Sequence, residues 1–158
     1  MGDFSHLDSE GRPAMVNVGQ KNVTHRTARA QALIHLPDEI MAHFNGNELM
    51  TKKGGVFQTA ILAGIMASKR TGDLIPLCHP LGLENCHIDI QISGKNTMII
   101  IAETSITAKT GVEMEALTAA SVAALTVYDM CKSMSHDIVI SEVKLLSKTG
   151  GKHDYQRG

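Results

Sequence analysis

The stretch VEMEALTAASVAALTVYDMCKSM, residues 112–134, does most to limit what this chain can become. Its Ala and Leu content and the acids Glu113 and Glu115 at its start specify a long helix, since acids are favoured at the positive end of the helix dipole. No Gly or Pro lies between Glu115 and Asp129, so nothing interrupts it. Those two acids are 14 residues apart in the chain, which on one straight helix is about 21 Å at about 1.5 Å per residue. The run closes with Asp129 and Lys132, spaced to share a helix face. An exposed pair of that kind is worth only about 0.2–0.5 kcal/mol. In a cleft, partial burial would depress the lysine pKa while the carboxylate raises it, and the two could exchange protons. The local pattern leaves both readings open and by itself favours the simple ion pair.

The remaining periodicities set the fold class. AMVNV (14–18) and RTARAQALIHL (26–36) read as strands, the second placing Ala28, Ala30, Ala32 and Ile34 on one face. PDEIMAHF reads as a short helix stopped at Gly46. GGVFQTAILAGIMASKRTG is a helix with Ala60, Ile61, Ile65 and Met66 near helical spacing and a stop at Gly72. CHIDIQI alternates as a half-buried strand and pairs with TMIIIAETSIT through a turn at Gly94-Lys95-Asn96. DIVISEVKLL supplies the last strand. Strands and helices are not strictly interleaved, so the expectation is α+β with a largely antiparallel, ferredoxin-like sheet. The 158 residues form one domain, 1–158, with 1–13 a flexible arm and 153–158 a flexible tail.

Bulk properties remove several functions. Fifteen Lys and Arg against 16 Asp and Glu give a net charge of −1, which argues against binding nucleic acid through bulk charge. With no Trp, two Tyr and three Phe, base-stacking platforms lack material. No long uncharged apolar run suggests a membrane span. The polar start MGDFSHLDSEGRP is unlike a signal peptide, and three cysteines suit a reduced, cytoplasmic setting.

The common nucleotide, zinc-protease and hydrolase signatures are absent. What remains are polar residues at the ends of apolar elements. TKKGG with Lys52 and Lys53, SKRTG with Lys69 and Arg70, and SKTGGK with Lys148 and Lys152 are basic turns. Paired glycines beside a lysine let N–H groups and an ammonium converge on an anion, although each turn alone is more often solvated surface. In IPLCHPLGL, two prolines hold Cys78 and His79 rigidly. A zinc site from Cys78, His79, Cys86 and His87 lacks the usual ligand spacing.

KGGVFQTAILAGIMASKRTGDLIPLCHPL, KTGVEMEALTAASVAALTVYDMCK and LLSKTGGK, in this order, closely resemble the cyclic pyranopterin monophosphate synthase (MoaC) family of molybdenum cofactor biosynthesis, from about Met15 to Lys152. The resemblance implies a ferredoxin-like subunit in a homohexamer of three dimers, with active sites at dimer interfaces. It implies a lyase reaction on 3′,8-cyclo-7,8-dihydro-GTP that forms the pyranopterin ring system and a cyclic phosphate and expels diphosphate. The family's catalytic aspartate and lysine fall on Asp129 and Lys132. Its substrate-contacting segments fall on Leu77, Cys78 and His79 and on Glu113, Met114 and Glu115. The lysine of its Gly-rich loop falls on Lys53, and further basic positions on Arg26, Lys69 and Lys148. No resident cofactor or protein-held metal is implied, although Mg²⁺ can accompany a triphosphate. Three positions depart from the family pattern: Gly55 where an acid is common, Asn17 where an aspartate is common, and the tail HDYQRG. The alternative of another class is a non-catalytic purine-nucleotide-binding protein of the same fold.

Overall fold

The structure, a computed structural model, describes residues 4–158, so the first three residues of the expected arm lie outside the described residues. The elements in chain order are β1 (Thr24–His35), α1 (Asp38–Met41), β2 (Phe44–Asn45), β3 (Glu48–Thr51), β4 (Gly54–Gly55), α2 (Val56–Ser68), α3 (Thr71–Leu74), β5 (Asn85–Ser93), β6 (Thr97–Ala108), α4 (Glu113–Cys131), β7 (Val139–Thr149) and β8 (Tyr155–Gln156). The main sheet runs β5-β6-β1-β7-β8 with every neighbour antiparallel. This is the expected α+β, ferredoxin-like arrangement, with α2 and α4 packed together over one face of the sheet.

Small residues decide how closely the layers meet. Ala28, Ala30, Ala32 and Ile34 of β1 are at most 1% exposed, as are Ala116, Ala119, Ala120, Ala123, Ala124 and Val127 of α4. Alanine against alanine brings the α4 axis close to the sheet and close to α2. At Gly64 of α2 a Cβ would stand 2.8 Å from the Ala119 carbonyl oxygen, closer than side-chain carbons tolerate, so the helix crossing depends on that glycine. The start of α4 is held by the buried Thr104 hydroxyl, which donates to the Val112 carbonyl at 3.0 Å. The helix then runs 19 residues without interruption.

Three expectations are corrected. The PDEIMAHF helix is only the single turn Asp38–Met41; Phe44 already belongs to β2, and Gly46, at φ +64°, turns the chain from β2 to β3 and does not end a helix. Residues 14–18 are not a strand: they pair with no strand of either sheet, and Val16 and Val18 turn to a cavity instead. Gly72 does not end α2. That helix stops at Ser68, and Gly72 lies within the short α3, whose Thr71 hydroxyl donates to the Ser68 carbonyl at 2.9 Å. The small sheet β2-β3-β4 was not foreseen, since strands of two to four residues carry too few positions to show a period. The hairpin turn stands as expected, with Gly94 at φ +62° between the paired Ser93 and Thr97. Among the described residues no helix is long and apolar enough to cross a membrane.

Candidate active site

A cavity of about 680 Å³ opens at the N-terminal end of α4. One wall is the 75–81 loop with Leu77, Cys78 and His79; another is the first turn of α4 with Glu113, Met114 and Glu115. Six residues expected from the sequence are thus brought together. Glu115 is only 2% exposed. The Cys78 thiol donates to its Oε1 at 3.8 Å, while its Oε2 is buried without a partner. Burial, with the neighbouring Glu113 charge adding to it, pushes the Glu115 pKa upward. The Cys78 thiol is pushed up to about 11, first by burial and then by Glu115, so it stays protonated and is a hydrogen-bond donor rather than a nucleophile.

Basic residues stand behind this wall. Lys148 pairs with Glu113 at 3.0 Å. Arg26 donates from Nη2 to the Lys109 carbonyl at 3.1 Å, in the loop leading into α4, and its buried Nε has no partner. The Gly150-Gly151 turn wraps this guanidinium: Gly150 has φ +87°, and a Cβ there would overlap the His25 carbonyl. Lys69, by contrast, sits at the C-terminal end of α2 beside Cys86, outside the cavity lining.

The C-terminal end of α4 carries a second constellation. Asp129 accepts from Lys132 at 2.9 Å and from Lys53 at 3.3 Å. All three side chains are about half exposed. The Lys132 hydrogen bond, then that of Lys53, holds the Asp129 carboxyl below its ordinary range. The bond to Asp129 raises Lys132 in turn. Burial in a cleft would have lowered this lysine; in the single chain the pair is open to water and the carboxylate dominates. The two groups therefore carry full opposite charges at neutral pH.

Lys53 reaches Asp129 because of the unforeseen small sheet. It sits in the β3–β4 turn, where its N–H donates to the Thr51 hydroxyl at 3.1 Å. The turn is fixed to α2 by Glu48, whose carboxylate accepts from the N–H groups of Phe57 at 2.8 Å and Gln58 at 3.2 Å. Gly55, at the N-cap position of α2, provides no side-chain cap. Glu48 supplies from β3 the negative charge that an acid at position 55 would otherwise bring to the helix N-terminus. Asn17, the second departure, accepts from the Gly19 N–H at 2.9 Å and shapes a tight turn, a role open equally to aspartate. In the tail, Asp154 Oδ1 accepts from the Gly150 N–H at 3.0 Å and Tyr155 pairs with Lys148 as β8.

Sequence reasoning missed the third wall of the cavity, which comes from His6, Pro13, Val16, Val18 and Lys21. Residues 14–18, expected as a sheet strand, do have one half-buried face, made by Ala14, Val16 and Val18. The zinc alternative finds no ligand set: among the described residues no group of three or more His, Cys, Asp or Glu side chains is placed to hold a metal.

The fold and its polar residues define a class: a ferredoxin-like α+β subunit with a cavity at one end of its longest helix and a charged acid–base group at the other. The particular family follows from comparison with known proteins. The model described as "MoaC family" matches residues 15–151. A Xanthomonas campestris pv. campestris protein named cyclic pyranopterin monophosphate synthase is 51% identical over 151 residues, covering 96% of this chain and 92% of that protein. One of the same name from Desulforapulum autotrophicum is 51% identical over 153 residues, with 96% and 93% covered. A Synechocystis molybdenum cofactor biosynthesis bifunctional protein is 49% identical over 155 residues, 96% of this chain and 45% of its own length. The chain belongs to the MoaC family.

Proposed function

We propose that this protein is a lyase of molybdenum cofactor biosynthesis that converts (8S)-3′,8-cyclo-7,8-dihydroguanosine 5′-triphosphate to cyclic pyranopterin monophosphate with release of diphosphate. The observation that carries the reading is the meeting of Lys53 with Asp129 and Lys132, from parts of the chain 76 residues apart. In the reaction a substrate hydroxyl attacks the α-phosphorus, and the bond from that phosphorus to the bridging oxygen of the departing diphosphate breaks. Asp129, ionised, accepts the hydroxyl proton. Lys132, charged, donates during ring rearrangement, and Lys53 meets the growing negative charge on phosphate. Leu77, Cys78, His79 and the Glu113–Glu115 turn hold the ring; Arg26, Lys69 and Lys148 strengthen the positive field. No resident cofactor belongs to the proposal, and Mg²⁺ is assigned to the triphosphate.

The unbroken α4 keeps Glu115 and Asp129 of one chain about 21 Å apart along the helix axis. One small ring cannot touch both. Each site is therefore shared between two chains of a homodimer, three of which make a hexamer. Val122 lies midway between the two acids, so a two-fold axis near it sets Asp129 of one chain against Glu115 of the other. Met114 and Leu125, exposed on α4, are apolar surface for that contact. Covering Asp129 and Lys132 in this way shifts both pKa values towards neutrality, which favours proton exchange.

The test uses two inactive variants, Glu115→Ala and Asp129→Asn, dissociated, mixed and reassembled. Random pairing makes half the dimers mixed, each with one intact site, so activity should return to about a quarter of wild type. Verified mixing with no recovery would rule out the shared site. Tight binding of the cyclised dihydro-GTP by wild type with no cyclic pyranopterin monophosphate formed would instead support a non-catalytic purine-nucleotide-binding protein.

A further inference from the structure

The N-terminal wall of the cavity has no part in the chemistry above, yet it is a built structure. Leu7 bridges Pro13, and the Ala14 N–H donates to the His6 carbonyl at 2.9 Å. The Asp8 carboxylate accepts from the N–H groups of Glu10 and Arg12, both at 2.9 Å, and from Arg12 Nε at 3.0 Å. After the Asn17 turn, the Lys21 N–H donates to the Val18 carbonyl at 3.0 Å. Lys109 ties the segment down by donating from Nζ to the Gly19 carbonyl at 2.9 Å. Lys109 begins the loop whose Thr110 and Gly111 also line the cavity, so strap and cavity are joined.

None of residues 4–23 is buried, so the core does not account for this order. Ala14, Val16 and Val18 are half-buried while the residues between them are exposed, and both valines line the cavity. The segment thus turns its apolar face to the space where a ligand would lie. Its charge points the same way. Lys53, Lys132 and Lys148 each pair with a carboxylate, whereas none of the ion pairs among the described residues includes Lys21. Lys21 lines the cavity as an exposed cation with its charge uncommitted.

We propose that residues 6–21 are a substrate-holding strap, in which Val16 and Val18 pack on the ring of a bound nucleotide and Lys21 meets its phosphate chain. The apolar stripe suits a flat ring and the unpaired ammonium suits an anion, so a nucleoside phosphate satisfies both at once. The assignment rests on the proposed function for the identity of the substrate but not for the occurrence of binding.

Two measurements on the full chain separate these dependences. In the kinetic arm, Lys21→Ala should raise KM for the cyclised dihydro-GTP about tenfold or more, as loss of one charge-assisted contact does. Its kcat should stay within about twofold, since the group binds and does not transfer protons. Lys21→Arg should restore KM, and Lys95→Ala, which removes a lysine paired with Asp38 on a separate hairpin, should leave it unchanged. A KM for Lys21→Ala equal to wild type would overturn the assignment. The binding arm follows tryptic cleavage of the Lys21–Asn22 bond in wild type, with GTP as a stable triphosphate probe. Saturating GTP should slow that cleavage several-fold, because a bound ligand covers the strap. Should wild type fail to turn over the cyclised substrate, the proposed function falls while protection by GTP still supports the strap. Cleavage unaffected by GTP would overturn the strap itself.

Discussion

The two ends of α4 are made of the same kinds of residue and hold them in opposite states. At the N-terminal end Glu115 is buried against Cys78, its pKa raised by desolvation and one oxygen left without a partner. At the C-terminal end Asp129 lies in water between two lysines, its pKa lowered by their hydrogen bonds. A carboxyl in an apolar cavity tends to keep its proton and can donate a hydrogen bond; one flanked by ammonium groups loses it and can only accept. In the proposed reaction one helix would deliver a ring-holding end and a proton-moving end, about 21 Å apart along its axis. The difference teaches that a single helix can hold carboxyls of the same kind in opposite protonation tendencies, which is what the proposed shared site would use.

Breaking the charged end should have the largest effect. Asp129→Asn or Lys132→Ala should cut turnover by roughly 10²–10⁴-fold, the contribution of a positioned proton-transfer group. Because both side chains are about half exposed, thermal unfolding should hardly change. Near-normal turnover in a folded variant would reduce the pair to a surface ion pair. Next comes Lys53→Ala, which should weaken substrate binding by about 1.5–3 kcal/mol if a charge-assisted contact to phosphate is lost; unchanged affinity and salt dependence would count against that contact.

A smaller effect tests how the charged end is supported. Glu48→Ala should destabilise the protein by about 0.5–2 kcal/mol, the usual cost of losing a helix cap. Adding Gly55→Asp to it should recover much of that loss, whereas Gly55→Asp alone should destabilise, since a Cβ at 55 would lie 2.6 Å from Glu48 Oε2. Urea unfolding of the three variants checks it. The smallest effect belongs to the buried end. With its folded pKa above the ordinary 4.5, Glu115 binds its proton more tightly in the folded state. Its contribution therefore falls as pH rises through the interval between the two values and is constant above it. Glu115→Gln should match wild type in stability at acid pH and exceed it progressively towards neutral pH. Asp129 has the opposite sign: its contribution is present above the ordinary 3.8 and is lost as pH falls through its lowered value. A pH-independent difference between wild type and Glu115→Gln would mean that the carboxyl has the same pKa in the folded and unfolded states.

The long elements were legible because their periods are long enough to be counted. The alternation of Ala28, Ala30, Ala32 and Ile34 marked β1, and the Gly- and Pro-free run from Glu115 to Asp129 marked an unbroken α4. The strand expected at residues 14–18 did not form, and there a half-buried face lies against a cavity and not in a sheet. A pattern of two reports burial on one side but not what does the burying. Resemblance named Lys53, yet neither it nor the residues indicated that Glu48 stands in for the acid missing at Gly55, because a cap supplied from another element leaves no local spacing to read.

The sequence by itself determined the helix that separates Glu115 from Asp129, the antiparallel α+β layout and the residue types at each end, since these follow from local propensity and short-range period. Only the tertiary structure decided the protonation tendencies of those residues, the meeting of Lys53 with Asp129 across 76 positions, and the closing of the cavity by Val16, Val18 and Lys21. The physical reason is that desolvation and Coulomb interaction depend on what lies within a few ångströms in space, and that neighbourhood comes from chain segments far apart in order.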